Sequence, residues 1–244
     1  MRSFSYEYDG GTGNRIITSG DGSATLYSDR FGESYRSSGG AAAESLHVFV
    51  RGGLLRYCTE NPAEKTIRIL EYGFGTGMNA MSTIMHAPET DIEYTSLDLF
   101  PLREQEYSGI LPENASEEIR TLFRSIHTAE WCTPADCRYT EIRKNFRLRK
   151  ILCDFRTFNP LNASDGRPWI NVVYFDPFSP SSEPECWEEN IFRSLILAAK
   201  PGAILATYSA KGDVKRALRS AGWEVHRVPG TGTKRHNLIA ENRL

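Results

Sequence analysis

The stretch LEYGFGTGMNA at residues 70–80 places three glycines at alternate positions, directly after an apolar run and a glutamate. The run TIRIL at 66–70 is typical of a buried strand, and the residues from Met78 predict a helix that ends before Pro88. In α/β proteins, a glycine-rich loop between a strand and a helix lets a ligand lie against bare backbone. The stretch therefore predicts an α/β fold with a ligand site at this loop.

The rest of the chain alternates predicted strands and helices. Strands are predicted at 93–100, 147–155, 169–175, 203–209, 223–229 and 236–242, and helices at 116–127, 183–202 and 211–222. This alternation predicts a doubly wound, mostly parallel sheet with helices on both faces. The last two strands predict an antiparallel hairpin at one edge of the sheet. Near the middle, residues 138–155 predict a hairpin whose second arm becomes a core strand.

The first sixty residues follow a different pattern. RIITSGDGSATLYS at 15–28 predicts a β-hairpin around a Gly-Asp-Gly turn, and residues 41–50 predict a helix that Gly52 and Gly53 terminate. The segment is too short for a core of its own. We therefore predict an N-terminal β/α cap over residues 1–60, called the cap below, in front of a main domain over residues 61–244.

Composition narrows the function classes. The chain has 244 residues, 40% hydrophobic content and a formal net charge of −2, which excludes a global signature of nucleic-acid binding. No run of the sequence has the length and apolar character of a membrane span, and the first residues resemble no export signal, so we expect a cytoplasmic protein without membrane contact. We expect a monomer, because the sequence shows no apolar surface stripe.

One local basic run offers candidate phosphate contacts at Arg143, Lys144, Arg147, Arg149 and Lys150.

The five cysteines are scattered and odd in number. This arrangement predicts a reducing compartment rather than a disulfide framework. The close pair in WCTPADC, at 131–137, has no second pair or nearby histidine to complete a metal site, so we expect no bound metal.

The glycine spacing discriminates between cofactors. Gly73, Gly75 and Gly77 follow a G-x-G-x-G pattern, whereas a dinucleotide site has G-x-G-x-x-G. Glu71 stands just before the loop, where a carboxylate would repel a phosphate and attract a cation. S-adenosylmethionine carries a sulfonium and an ammonium and no phosphate, so the pattern favours it over NAD. The alternative is a glycine-rich turn without a ligand.

Acids at the ends of successive predicted strands support a nucleoside site. Asp98 is a candidate for the ribose hydroxyls, and Asp154 is a candidate neighbour of the adenine. Asp176 follows the next strand in a loop stiffened by prolines, where it could orient an amine and accept its proton, or else cap the following turn. Phe178 is a candidate for stacking on a base or for an apolar lid, and Tyr208 for the wall of the same pocket.

Several motifs, in order from about Thr18 to the C-terminus, resemble the methyltransferase domain of the MnmC family of tRNA-modification enzymes. They are ESLHVF, EYGFGTGMNA, DLFPL, DPFSPSSEPECW, KPGAILATYSAKGDVKRALRSAGWEV and GTGTKRHNLIA. The resemblance implies a Rossmann-like fold and S-adenosylmethionine-dependent methylation of the aminomethyl group on wobble uridine of tRNA. The product would be 5-methylaminomethyl-2-thiouridine.

The resemblance also implies roles for individual residues. The methionine part of the cofactor would be held by Glu71, Gly73, Gly75 and Gly77, the ribose by Asp98, and Asp154 would lie by the adenine. The catalytic carboxylate would be Asp176, near the target amine, and Glu44 would line the site. The basic pair Lys234 and Arg235 would meet the anticodon loop.

The sequence departs from the family in two respects. Many members carry a second, FAD-dependent oxidase domain, whereas this chain ends at Leu244, so we expect no oxidase activity and no FAD, and a separate oxidase as a candidate partner. Ser182 stands where many members have a lysine. Two alternatives remain open: a methyltransferase of the same fold that acts on a small-molecule amine, and a non-catalytic cofactor- or RNA-binding partner of a modification complex.

Overall fold

The computed structural model describes residues 13–18, 24–36, 41–230 and 236–244. A small antiparallel sheet comes first in the chain. Its strands are β1 (Asn14–Thr18), β2 (Ala24–Ser28) and β3 (Glu33–Ser34), paired in that order. The pairing of β1 with β2 is the hairpin predicted around the Gly-Asp-Gly turn.

A nine-stranded sheet forms the centre of the molecule. Its strands are β4 (Thr66–Tyr72), β5 (Asp91–Asp98), β6 (Trp131–Cys132), β7 (Thr140–Arg143), β8 (Phe146–Leu152), β9 (Ile170–Phe175), β10 (Ala199–Thr207), β11 (Glu224–Pro229) and β12 (His236–Glu241). The order is β11-β12-β10-β9-β4-β5-β8-β6, with β7 antiparallel to β8. Strands β4, β5, β8, β9 and β10 are parallel, and β12 runs antiparallel to both of its neighbours. The predicted mostly parallel sheet with an antiparallel edge hairpin is confirmed.

Helices cover both faces of this sheet. They are α1 (Ala41–Glu44), α2 (Arg56–Glu60), α3 (Met78–His86), α4 (Glu104–Tyr107), α5 (Glu117–Thr128), α6 (Glu189–Ala198) and α7 (Gly212–Ser220). One apolar core joins α6 and α7 to the sheet, and a second core joins the opposite face to α3, α5 and the helix that follows α1. Strand β4 serves both cores because its side chains alternate: Ile69 belongs to the second core and Leu70 to the first.

The first helix runs further than the sequence predicts. A π-helical segment, Ser45–Leu55, links α1 to α2, so the helix continues to Glu60 and is not terminated by Gly52 and Gly53. The reason is packing. A Cβ on Gly53 would lie 3.1 Å from Tyr174 and 3.2 Å from Val172, so this glycine allows the helix to approach the sheet closely.

The direction of the chain across the sheet reverses between β4 and β9. From β4 the chain proceeds to β5 and β8 on one side, and β9 and β10 lie on the other side. In sheets of this type, ligands bind at such a reversal, beyond the carboxyl ends of the strands. The glycine loop, residues 73–77, follows β4 at this point.

Two further observations concern expectations from composition. A disulfide joins Cys132 and Cys137, whose Cα atoms are 5.2 Å apart, so the expectation of no disulfide is wrong for this pair. The two cysteines are close because Cys132 ends β6 and the chain turns back within five residues. Across the described residues, we find no helix with the length and apolar character required to span a bilayer.

Candidate active site

A cavity of about 550 Å³ opens at the carboxyl ends of the central strands. Many of the predicted site residues lie in its wall, namely Glu44, Gly73, Gly75, Asp98, Asp154, Asp176, Phe178 and Tyr208. The cap contributes further wall residues that the sequence did not predict, including Arg30, Phe31, Glu33, Tyr35 and Arg36. The cavity therefore lies between the sheet and the cap.

The glycine loop takes a backbone conformation that favours glycine. Gly73 has φ of +92°, and a Cβ there would lie 2.6 Å from the Asp176 carbonyl oxygen. The absence of a side chain lets the loop after β4 pack against the loop after β9. Gly75 also has positive φ and packs against the ring of Tyr35. Gly77 lies at the N-terminus of α3 and is not part of the cavity wall.

Asp98 links the end of β5 to the glycine loop. Its carboxylate accepts hydrogen bonds from the backbone N–H of Gly75 at 2.9 Å and of Phe100 at 2.8 Å. Burial raises the pKa of Asp98, and these N–H groups act in the opposite direction. Asp98 also lies in the cavity wall, where its carboxylate is a candidate acceptor for hydroxyl groups of a ligand.

Glu71 lies behind the glycine loop rather than in the cavity wall. Its side chain is fully buried, and its carboxyl accepts hydrogen bonds from Asn79 Nδ2 at 2.9 Å and Ser96 Oγ at 2.6 Å. Burial raises the pKa of Glu71 to about 8, against the effect of both hydrogen bonds. Asn79, which also donates to Asp176, lies between Glu71 and the cavity, because β4 ends with the Glu71 side chain facing α3. The contact of Glu71 with the cofactor stays a prediction.

Asp176 follows β9 and has one of its oxygens in a network of buried polar groups. Asn79 Nδ2 donates to Asp176 Oδ2 at 2.8 Å, and the guanidinium of Arg36 lies 3.9 Å from the same oxygen. Neither Arg36 nor Asn79 was predicted as a site residue. Asn79 does leave a signal in the sequence, since a short amide is a poor helix former, yet it occupies the first turn of α3. Arg36 leaves none, because it follows a strand of only two residues.

Aromatic rings close one side of the cavity. Phe178 stacks on Phe31 of the cap, with ring centroids 4.2 Å apart, and Tyr35 contacts Phe178 edge-on at 5.0 Å. Phe31 also meets Phe100 at 5.8 Å. Phe31 therefore covers one face of the Phe178 ring. Tyr208 lies on the same side and donates its hydroxyl to the Pro177 carbonyl at 2.9 Å.

The cap is joined to the loop after β9 by Glu33. Its Oε2 accepts hydrogen bonds from the backbone N–H of Ser179 at 3.0 Å and from Ser182 Oγ at 2.8 Å. Ser182, which replaces the usual lysine of the resembled family, thus has a definite partner in this chain. Phe31 is two residues from Glu33, and Phe178 is adjacent to Ser179. The two hydrogen bonds of Glu33 therefore help to hold the two rings together.

The cavity wall is rich in acids. It contains seven acidic residues and three arginines, and the pKa of Glu183 rises to about 7, mainly through burial and then through the charge of Asp98. Asp154 pairs with Arg156 at 2.5 Å, and although burial opposes it, this pairing lowers the pKa of Asp154. An excess of carboxylates favours ligands that carry positive charge.

The predicted RNA contacts are not assembled beside the cavity. Arg143, Lys144 and Arg147 lie around the start of β8, whereas the cavity lies beyond its end. Lys150 is 1% exposed and donates to the His127 carbonyl, so its predicted phosphate contact is wrong. The predicted pair Lys234 and Arg235 lies outside the described residues.

A cluster of metal-ligating type lies at the distant sheet edge. Ligand atoms of Glu224, His226 and Glu241 fall within 4.8 Å of one another. Arg56 and Arg243 form ion pairs with these carboxylates, which accounts for the cluster without a cation.

Comparisons with known proteins agree with this geometry. A family described as S-adenosyl-L-methionine-dependent methyltransferase matches residues 117–243. Proteins from Ralstonia nicotianae and Ectopseudomonas mendocina, both named tRNA 5-methylaminomethyl-2-thiouridine biosynthesis bifunctional protein MnmC, are 30% identical over 221 residues and 32% identical over 219 residues. These alignments cover 88% and 85% of this chain, but only 33% and 32% of the relatives, so the chain spans about a third of their length.

A solved structure supports the same relationship. The crystal structure of MnmC2 from Aquifex aeolicus superposes with a TM-score of 0.77 at 27% identity, over 98% of this chain and 73% of that chain. The resemblance to the MnmC methyltransferase domain, drawn from motifs, is thereby confirmed.

Proposed function

The chain belongs to the family of S-adenosyl-L-methionine-dependent methyltransferases, and we propose that it methylates the nitrogen of the 5-aminomethyl group on wobble 2-thiouridine in tRNA. The observation that carries the proposal is the convergence of Asp98, the glycine loop and Asp176 on one acidic cavity. The product would be 5-methylaminomethyl-2-thiouridine. Residues 61–244 would form the catalytic domain, with residues 1–60 as its cap.

The cavity fits the cofactor in size and chemistry. Its volume of about 550 Å³ is within the usual range for small-molecule sites. The backbone at Gly73 and Gly75 would support the methionine part, and Asp98 would accept the ribose hydroxyls. Asp154 would lie by the adenine, and Glu44 would line the site. Glu71 would act indirectly, through its hydrogen bond with Asn79.

When bound, the cofactor would supply an electrophilic methyl group on its sulfonium, for in-line displacement by a nitrogen lone pair with S-adenosylhomocysteine as the leaving group. Position and exclusion of water therefore provide most of the catalysis. The amine must be uncharged to attack, yet an alkylamine is mostly protonated near neutral pH, with a pKa of about 10.4 for lysine. In our proposal the Asp176 carboxylate orients the ammonium group and accepts the proton that it loses before attack, and the methylated nitrogen keeps its two remaining protons as a secondary ammonium.

The wall supports an amine substrate in particular. Its seven acidic residues outnumber its three arginines, so the cavity would concentrate a cationic group before deprotonation. The ring of Phe178 would offer a flat surface for the pyrimidine once Phe31 moves away, and Tyr208 would complete that side.

The choice of tRNA rests on the relatives and not on a visible RNA surface. The bifunctional relatives are named for 5-methylaminomethyl-2-thiouridine biosynthesis in tRNA, and an anticodon-loop base is unpaired and accessible to a pocket. Lys234 and Arg235 would contact the anticodon loop. Because the chain matches only about a third of those relatives, the proposal covers methyl transfer alone, with no flavin step. A separate oxidase or another wobble-uridine enzyme would supply the amine.

The test is transfer of a labelled methyl group from S-adenosylmethionine to tRNA that carries 5-aminomethyl-2-thiouridine, followed by nucleoside analysis. We expect label in 5-methylaminomethyl-2-thiouridine, and unmodified tRNA as the control should remain unlabelled. Label in free amines alone would replace the tRNA substrate with a small molecule. Cofactor binding with no transfer to either would support a non-catalytic binding partner.

A further inference from the structure

Arg36 is a buried cation that joins the end of β3 to the elements beside the cavity. Its side chain is 5% exposed and reaches from the end of β3 into the cavity wall. Its Nη1 donates to Ser45 Oγ at 2.5 Å and to Asn79 Oδ1 at 3.1 Å, and lies 3.9 Å from Asp176 Oδ2. A guanidinium removed from water needs a negative charge nearby to offset its lost hydration. Asp176 is placed to provide that charge.

Asn79 is fixed by three partners at once. Its Nδ2 donates to Glu71 Oε1 and to Asp176 Oδ2, and its Oδ1 accepts from Arg36. Because a guanidinium can only donate, Arg36 holds the Asn79 carbonyl toward itself and the amide hydrogens toward the two carboxyls. The orientation of Asp176 is thereby set by Asn79 and, through it, by Arg36.

The surroundings of Asp176 do not favour an ionised carboxylate. Glu71 faces it from β4 as a buried acid whose pKa rises to about 8, and the carboxyls of Glu44 and Glu33 lie in the same cavity wall. The Tyr208 side chain, at the end of β10, is an uncharged neighbour because burial raises its pKa. Nearby carboxylates and burial both favour the protonated form of an acid. Arg36 is the cation that this network brings next to Asp176.

We propose that Arg36, acting with Asn79, is a positioning residue that keeps Asp176 ionised and oriented for proton uptake in methyl transfer. This inference rests on the proposed function. An opposite charge at close range lowers the pKa of a carboxyl by about 1 to 3 units. Removal of Arg36 should therefore convert Asp176 into an acid that is protonated over part of the working pH range.

The first experiment compares Arg36→Met, Arg36→Lys and the unaltered chain in kcat between pH 5.5 and 9, on tRNA that carries 5-aminomethyl-2-thiouridine. At each pH, we divide the rate of Arg36→Met by the rate of the unaltered chain. Titration of the substrate amine affects both rates equally and therefore drops out of this ratio. We expect this ratio to fall from pH 9 to pH 5.5, by about threefold if the pKa of Asp176 rises from its ordinary value by about 2 units and by about 25-fold if it rises by about 3 units. Arg36→Lys retains the charge but loses the planar fork, so its ratio should be lowered at every pH and vary little.

Arg68→Met is the matched control, because Arg68 forms an ion pair with Glu93 on β5 and is not part of the cavity wall. Glu93 keeps its second pair with Arg147 in that variant. Its rate ratio should be independent of pH. A ratio for Arg36→Met that is equally flat would overturn the inference, since loss of fold stability alone would lower the rate without this pH dependence.

The second experiment does not depend on activity. Aspartate labelled with ¹³C at the side-chain carboxyl is followed by NMR as pH is varied, and the Asp176 signal is assigned with Asp176→Asn. We expect the Asp176 midpoint to rise by about one pH unit or more in Arg36→Met. An unchanged midpoint would refute the electrostatic role even if methyl transfer to tRNA were established. A shifted midpoint in a chain that methylates no tRNA would retain the Arg36–Asp176 coupling and reject the proposed substrate.

Discussion

Phe31 stacks on Phe178 with ring centroids 4.2 Å apart and ring planes 23° from parallel. A pyrimidine can use that face of Phe178 only if Phe31 moves away, because Phe31 already occupies it. Phe31→Ala should therefore leave cofactor affinity unchanged and lower the KM for tRNA. A stacked pair contributes about 0.5–1.5 kcal/mol, so the expected change is up to roughly tenfold. A KM that rises instead would show that Phe31 binds the substrate rather than competes with it.

Asp176→Asn should abolish most turnover while the cofactor still binds. The amide keeps the size of the side chain but cannot accept a proton from the amine, and proton transfer of this kind contributes about 10²–10⁴-fold. Single-turnover rates and cofactor affinity by calorimetry separate the two effects. Unchanged turnover would remove Asp176 from the mechanism.

Asp98→Asn should weaken cofactor binding more than turnover. The substitution removes a charged acceptor that faces the cavity, and hydrogen bonds to charged groups are worth about 1.5–3 kcal/mol, so the dissociation constant should rise roughly 10- to 100-fold. Asp165→Asn is the matched control, since Asp165 is exposed and lies outside the cavity wall. Equal affinities in the two variants would contradict a ribose contact at Asp98.

Gly73→Ala should lose cofactor binding and thermal stability together. Its Cβ would lie 2.6 Å from the Asp176 carbonyl oxygen, so one of the two loops has to move. Gly166→Ala separates this clash from backbone strain, because Gly166 has φ of +77° and nothing within 4 Å of a Cβ. We expect Gly166→Ala to cost about 1–2 kcal/mol and to bind cofactor normally. Similar melting temperatures for the two variants would argue against close packing at Gly73.

Glu71→Gln should change how stability depends on pH. Burial raises the pKa of Glu71 from 4.5 to about 8, so between those values the folded protein keeps a proton that the unfolded chain has lost. The contribution of Glu71 to the free energy of unfolding therefore falls as pH rises from about 4.5 to about 8. Urea unfolding at pH 5, 6, 7 and 8 should show a shallower decline in the variant. Parallel curves would indicate that Glu71 is ionised in the folded state.

The site residues that the sequence predicted correctly are those whose positions follow from the ends of strands. Asp98 and Asp176 each follow an apolar strand, and parallel strands bring their carboxyl ends to one edge of the sheet. Phe31 and Arg36 lie on either side of β3, a strand of only two residues. So short a strand has no hydrophobic periodicity from which its position relative to the main sheet could be predicted. The positions of Phe31 and Arg36 depend on contacts between distant residues, such as the bond from Ser182 to Glu33.

Misplaced residues have equally specific causes. Lys150 belongs to a basic run in the sequence, but side chains alternate along β8, so Lys150 shares the buried face with Phe146 and Leu148 while Arg147 points to solvent. Gly53 signals helix termination in the sequence, yet it provides a close contact with the sheet. In both cases the tertiary environment determines where the residue lies, and neither composition nor local propensity contains that information.

The close packing at Gly53 has a consequence for mutational tolerance. The π-helical segment that contains Gly53 begins with Ser45, which holds Arg36 beside Asp176. A Cβ at position 53 would crowd the side chains of Tyr174 and Val172, and we expect larger residues there to displace this segment and, with it, Ser45. In a saturation library screened for methylation, position 53 should thus be as intolerant as the residues of the cavity, although its side chain would never meet a substrate.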